Sequence, residues 1–196
     1  MKKFILTLCG FFAVICANAQ GVYEDTRHEV AVSYGTLANS QWIDVLEEVV
    51  IAMTGATFDN ERFLGPVAFE YFYHASNWLG VGGVFVVGNS VQDVLKDNVK
   101  DGRYIHSYYT LMPAVKFDWL RREHIGMYSK LAAGATLRRE KTDSSLAEDN
   151  DPRTDFHFNF QVSLLGFEAG GPTTRGFVEL GMGEQGIVLL GLRHKF

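Results

Sequence analysis

From Asp155 to Phe167 the chain alternates: Phe156, Phe158, Phe160, Val162 and Leu164 are separated by His157, Asn159, Gln161 and Ser163. A period of two is the strand period, so this stretch presents one apolar and one polar face. The same alternation runs from Tyr104 to Trp119. Ile105, Tyr109, Leu111, Val115, Phe117 and Trp119 share one face, and His106, Thr110, Lys116 and Asp118 share the other. Pro113 falls on the apolar face, and its missing N–H predicts a bulge or an irregular bond there. Beyond the first twenty residues no run approaches the roughly eighteen uninterrupted apolar residues of a spanning helix. Membrane insertion therefore requires a closed barrel, the other architecture that satisfies every backbone polar group in hydrocarbon.

Extended along the chain, the pattern predicts eight strands, near 28–35, 62–74, 78–88, 104–119, 125–138, 155–168, 175–183 and 186–196. Gly80, Gly82 and Gly83 blur the faces of the third. The intervening links are short at 75–77, 120–124 and 169–174 and longer at 36–61, 89–103 and 140–154. The last link, near Glu184 and Gln185, is short on the long-loop side. The expectation is an all-β fold: an eight-stranded antiparallel up-and-down transmembrane β-barrel with short periplasmic turns and longer outer loops.

Lys2 and Lys3 precede an apolar run from Phe4 to Ala17 and the small-residue site Ala17-Asn18-Ala19. This predicts a cleaved signal peptide over 1–19, a periplasmic segment over 20–27 and a barrel domain over 28–196. Lipid attachment at Cys16 would need a small residue before it, where Ile15 stands. Cys9 and Cys16 both lie in the removed segment, so the mature chain has no thiol for disulfides, metal binding or nucleophilic catalysis. Removing Lys2 and Lys3 takes the net charge from −5 to −7, and no region is basic enough for nucleic acid.

At the C-terminus Val188, Leu190, Leu192 and Phe196 share one face, and the last residue is aromatic. With Gly176-Phe177-Val178-Glu179-Leu180-Gly181 and Gly191-Leu192-Arg193-His194-Lys195-Phe196, the chain resembles the small outer-membrane barrels of the OmpA and OmpX kind. It also resembles the Bacteroidetes-type outer-membrane β-barrel domain. The resemblance implies that Leu190, Leu192 and Phe196 form an assembly signal read by the barrel-assembly machinery. His194 departs from the apolar residue usual at its position.

A secreted lipocalin is also an eight-stranded barrel, but it would turn its apolar face inward around a ligand. Here the polar face carries Ala114, Lys116, Ala132, Gly134 and Thr136, which suit a narrow filled interior. Tyr71, Tyr73, Trp78, Phe117, Trp119 and Phe196 gather near the short turns, as an interfacial girdle facing outer-membrane lipid would. Counting from those turns sets Glu70, Lys116, Lys130, Glu179 and Arg193 at similar height inside. An unpartnered buried charge is costly, so Glu70 and Glu179 are expected to pair with Lys116, Lys130 and Arg193 in a polar plug. A small gated pore, in which those pairs exchange partners, is the alternative.

In 36–61, Trp42, Val45, Leu46, Val49, Val50 and Met53 fall on one helical face. A short helix could lie on the membrane, cap the mouth or meet a partner; a packed loop or a strand top would read the same way. His106, Ser107 and Asp155 fail as a catalytic set, because adjacent residues of one strand point to opposite faces. Adding His157 gives no tight metal-ligand motif, and the acidic 140–154 segment lacks calcium-loop spacing. Gly80 to Gly83 precede no helix, so they make no phosphate loop. The reading is of a monomeric membrane barrel without cofactor, metal or catalytic residues. Its role would be structural, or carried by the outer loops toward an extracellular partner, with a lipid-modifying enzyme as the remotest alternative.

Overall fold

The computed structural model describes residues 26–36, 57–96, 99–144 and 153–196, with side chains over 26–36, 65–89, 106–139 and 154–196. Every regular element among them is a strand: β1 (His28–Thr36), β2 (Thr57–Ser76), β3 (Leu79–Lys96), β4 (Val99–Arg121), β5 (Ile125–Ser144), β6 (Arg153–Gly170), β7 (Thr174–Gly183) and β8 (Val188–Lys195). Each pairs antiparallel with the next, and β8 pairs with β1 to close a barrel. Closure satisfies the edges that an open sheet would leave unpaired.

The alternation sorts side chains between lumen and exterior. β1 buries Glu29, Ala31, Ser33 and Gly35 and exposes Val30, Val32 and Tyr34. Leu111, Leu131, Leu164, Leu190 and Leu192 also point outward, while Thr110, Lys130, Asn159 and Gln161 point in. The third strand resolves the same way, with Val84 and Val86 inside and Val81 and Phe85 outside. One compact apolar patch lines part of the interior, formed by Ala68, Phe72, Val84, Val86, Met112, Ala114 and Ala132. This polarity is the reverse of a water-soluble barrel with an apolar ligand cavity.

Two expectations need correction. The 89–103 stretch is not a long loop: β3 continues to Lys96, β4 starts at Val99, and the ladder runs from Asn89↔Ser107 to Lys96↔Val99. Its alternating Asp and Lys residues read as loop by polarity, but backbone pairing does not require apolar side chains. Similarly, β2 begins at Thr57, inside the 36–61 stretch expected to be the first outer loop. The face from Trp42 to Met53 lies outside the described residues. At Pro113 the pairing with β3 holds register, whereas the pairs with β5 are interrupted between Leu111↔Ala135 and Ala114↔Ala132.

The strands differ in length: β8, β1 and β7 have 8, 9 and 10 residues, whereas β2 to β6 have 18 to 23. The β1–β2 ladder ends at Tyr34↔Val67 and the β6–β7 ladder at Gln161↔Gly183. Beyond those points β2 to β6 continue as a five-stranded sheet. Its base is fastened where β2 bulges at Gly65 and Pro66. There Gly65 N–H donates to the Tyr34 hydroxyl at 3.2 Å, so closely that a side chain at 65 would overlap the tyrosine ring.

Candidate functional site: the barrel lumen

Toward the short turns the lumen is ionic. Lys116 Nζ lies 2.8 Å from Glu29, 3.4 Å from Asp118 and 3.9 Å from Glu168. Glu168 in turn receives Arg175 at 2.7 Å, Arg193 at 2.6 Å and Lys195 at 2.5 Å. His74 sits between Glu29 at 3.1 Å and Asp118 at 3.3 Å. Arg175 also donates to the carbonyls of Arg122, Glu123 and Gly171, which ties the β4–β5 and β6–β7 turns together across the mouth. Beside it, Arg121 donates to the Thr26 carbonyl at 2.8 Å.

One layer further in, Lys130 bridges Glu70 and Glu179. Arg193 reaches the same two carboxylates at 3.4 and 3.9 Å. Glu179 also accepts from the Tyr128 hydroxyl at 2.6 Å and from Ser163 at 2.6 Å. Lys116 and Arg193 lie 4.4 and 4.6 Å from the centre of the Tyr128 ring, where the π face attracts cations. Five carboxylates (Glu29, Glu70, Asp118, Glu168, Glu179) and five cations (Lys116, Lys130, Arg175, Arg193, Lys195) thus form one connected, charge-balanced cluster. Each of the ten side chains is 3% exposed or less.

Above the cluster the β7–β8 turn folds into the lumen. Gly183 and Gly186, at φ 137° and 111°, let the chain reverse inward between them. Glu184 and Gln185 are buried as a result. The Gln185 side-chain amide donates to Glu70 at 2.7 Å, and its backbone N–H donates to the Gln161 side chain at 2.8 Å. Glu184 accepts from Thr110 at 3.1 Å and Asn159 at 2.7 Å, while Asn159 also donates to Thr136 at 3.0 Å. Thr136 and Thr110 close the ring at 2.6 Å. The turn is therefore hydrogen-bonded to the charged cluster on one side and to neutral donors on the other.

Of the five charged residues anticipated inside, Glu70, Lys130, Glu179 and Arg193 come together, while Lys116 lies with Glu29 and Asp118 instead. Leu190, Leu192 and Phe196 lie on the exterior, with Phe196 stacked against His28 at 5.6 Å and His194 at 6.1 Å. Trp78 stacks on Phe117 at 6.3 Å at the same rim. Glu29, Glu168, Arg175, Lys195 and the turn residues were not anticipated. Glu29 shares the inward parity of Ala31 and Ser33 and could have been found that way. Glu168 could not, because β6 carries an extra residue near Leu164 and Leu165 that inverts which residues face inward beyond it.

No family model and no curated protein matches the chain. It is similar to two solved structures of Ail, the attachment invasion locus protein of Yersinia pestis. For Ail in complex with the heparin analogue sucrose octasulfate, identity is 15% over 87% of this chain and 99% of that one, with a TM-score of 0.47. For Ail in the second structure the figures are 14%, 88%, 100% and 0.46.

Proposed function

We propose that the chain is a monomeric integral outer-membrane barrel whose lumen is a structural plug and whose activity is exercised at its outer end. The observation that carries this reading is the filled lumen: ten paired charges and an inward turn occupy it, beneath an exterior lined by apolar side chains. An eight-stranded barrel is about as wide as its own interior side chains. No water path is needed to explain the charged cluster, since each of its ten members has an opposite partner. Export through a cleaved signal, and folding by assembly machinery that reads Leu190, Leu192 and Phe196, belong to the same reading.

Charge distribution indicates what the outer end meets. Segments 37–66, 89–105 and 139–155 carry fourteen Asp and Glu against seven Lys and Arg, a net of −7. The whole net charge of 20–196 thus belongs to these segments, and an extracellular partner with a basic surface is the complementary one. Refolded 20–196 should insert into planar bilayers without conductance steps, and proteolytic shaving of intact cells should abolish binding of a basic partner.

A gated pore is the second reading, because Lys130 and Arg193 can both serve Glu70 and Glu179. Discrete conductance that changes in Glu70→Gln and Glu179→Gln would establish it and displace the plug.

A further inference from the structure

The exterior apolar surface is not the same height all the way round. From His28, at the short-turn end of β1, successive paired residues are Tyr73, Val81, Val115, Leu131, Val162 and Met182, near the opposite end of β7. A row of neighbours therefore climbs the barrel. With strands about 4.8 Å apart and tilted about 40°, each sideways step rises roughly 3 Å.

The row from Val32 passes through Phe69, Phe85, Leu111 and Ala135 to Phe158. Five steps set Phe158 about 15 Å above Val32. Val188 is paired with Thr36, four residues beyond Val32, which sets it only about 7 Å above Val32 on the same geometry. Phe158 thus stands about 8 Å outside the last apolar residue of β8, and Phe156 about 5 Å further. These two are 72% and 76% exposed. Tyr109 and Leu137 accompany Phe156 in its row. The next outward row, Asn89, Ser107, Arg139 and Thr154, is polar throughout. Near the short turns the apolar exterior ends on both sides beside the rim, at Phe196 and at Ile125. The asymmetry lies in the outer boundary.

We propose that the crest formed by Tyr109, Leu137, Phe156 and Phe158 packs against acyl chains in the outer half of the bilayer. The barrel then sits in a wedge of hydrocarbon, thicker against β5–β6 than against the β8–β1 seam. The occupant is lipid because the crest continues the β6 belt: Leu164, Val162, Phe160, Phe158 and Phe156 follow without a polar interruption. The all-polar row directly above marks the headgroup boundary. A bilayer adapts its thickness to an apolar belt at modest cost, so each wall draws lipid to its own height. This inference rests on the membrane reading above.

The chain from residue 20 has no cysteine, so single spin labels can be placed by Phe158→Cys, Phe156→Cys, Tyr109→Cys, Leu190→Cys and Arg139→Cys. Collision with oxygen and with a water-soluble nickel chelate would be compared in dimyristoylphosphatidylcholine vesicles. Labels at 158, 156 and 109 should favour oxygen several-fold, like 190, while 139 favours nickel. Oxygen preference at 190 with nickel preference at 156 and 158 would overturn the wedge and leave the membrane barrel standing. Nickel preference at all five would overturn both. The 109 label, on a separate strand, repeats the measurement if the β6 variants fail to fold.

Discussion

The two ends of the lumen stabilise buried carboxylates by different means. Near the short turns Glu168 is held by three full positive charges, Arg175, Arg193 and Lys195. Near the outer end the Glu184 oxygens accept from the neutral groups of Thr110 and Asn159. A set of charges that balances five against five is intolerant of subtraction, because removing one member strands another in a low dielectric. A ring of neutral donors loses only dipoles and degrades gradually.

Substitutions should separate the two ends by size of effect. Lys130→Met leaves Glu70 and Glu179, among the cations of the cluster, only the longer contacts to Arg193, and should lower unfolding free energy in detergent by about 3–5 kcal/mol. Adding Glu179→Gln, which restores four carboxylates against four cations, should recover most of that loss, which simple loss of packing would not allow. Glu168→Gln should cost about 3 kcal/mol, because Arg193 keeps Glu29 and Glu70 while Arg175 keeps its three carbonyls. At the other end, Glu184→Gln can keep an oxygen on the Asn159 amide and turn its own amide to the Thr110 hydroxyl, and about 1–2 kcal/mol is expected in the same denaturation assay. Thr136→Val removes one hydroxyl from the ring and should cost only about 1 kcal/mol. If Glu184→Gln proved as damaging as Lys130→Met, the contrast between the cluster around Lys130 and the hydroxyl and amide contacts of Glu184 would fail.

Much of this arrangement is visible in the sequence. Lys130 and Glu179 lie on polar faces that a period of two identifies without coordinates, and the closed fold follows from eight such faces. Three things escape that counting. The extra residue in β6 inverts the alternation, so Glu168 shares odd-even parity with exterior Phe156 and Phe158 yet points inward. Lys116 is displaced from Glu70 because neighbouring rows climb the barrel, so equal distance from a turn is not equal height. The inward turn at Glu184 and Gln185 obeys no strand period, and two polar residues between glycines look like an ordinary solvated reversal. The 89–103 stretch shows the converse error, where polarity concealed a regular ladder.

Arg193 and Lys195 belong to β8, the final strand of the chain, while their acidic partners belong to β1, β2, β6 and β7. A nascent chain that has made only the first seven strands therefore holds an excess of negative charge with nowhere dry to put it. Arrival of the eighth strand neutralises the interior in the same movement that zips it to the first. Closing the wall and neutralising the lumen are thereby one cooperative event, so a barrel opened at the β8–β1 seam would lose its electrostatic balance together with its backbone pairing.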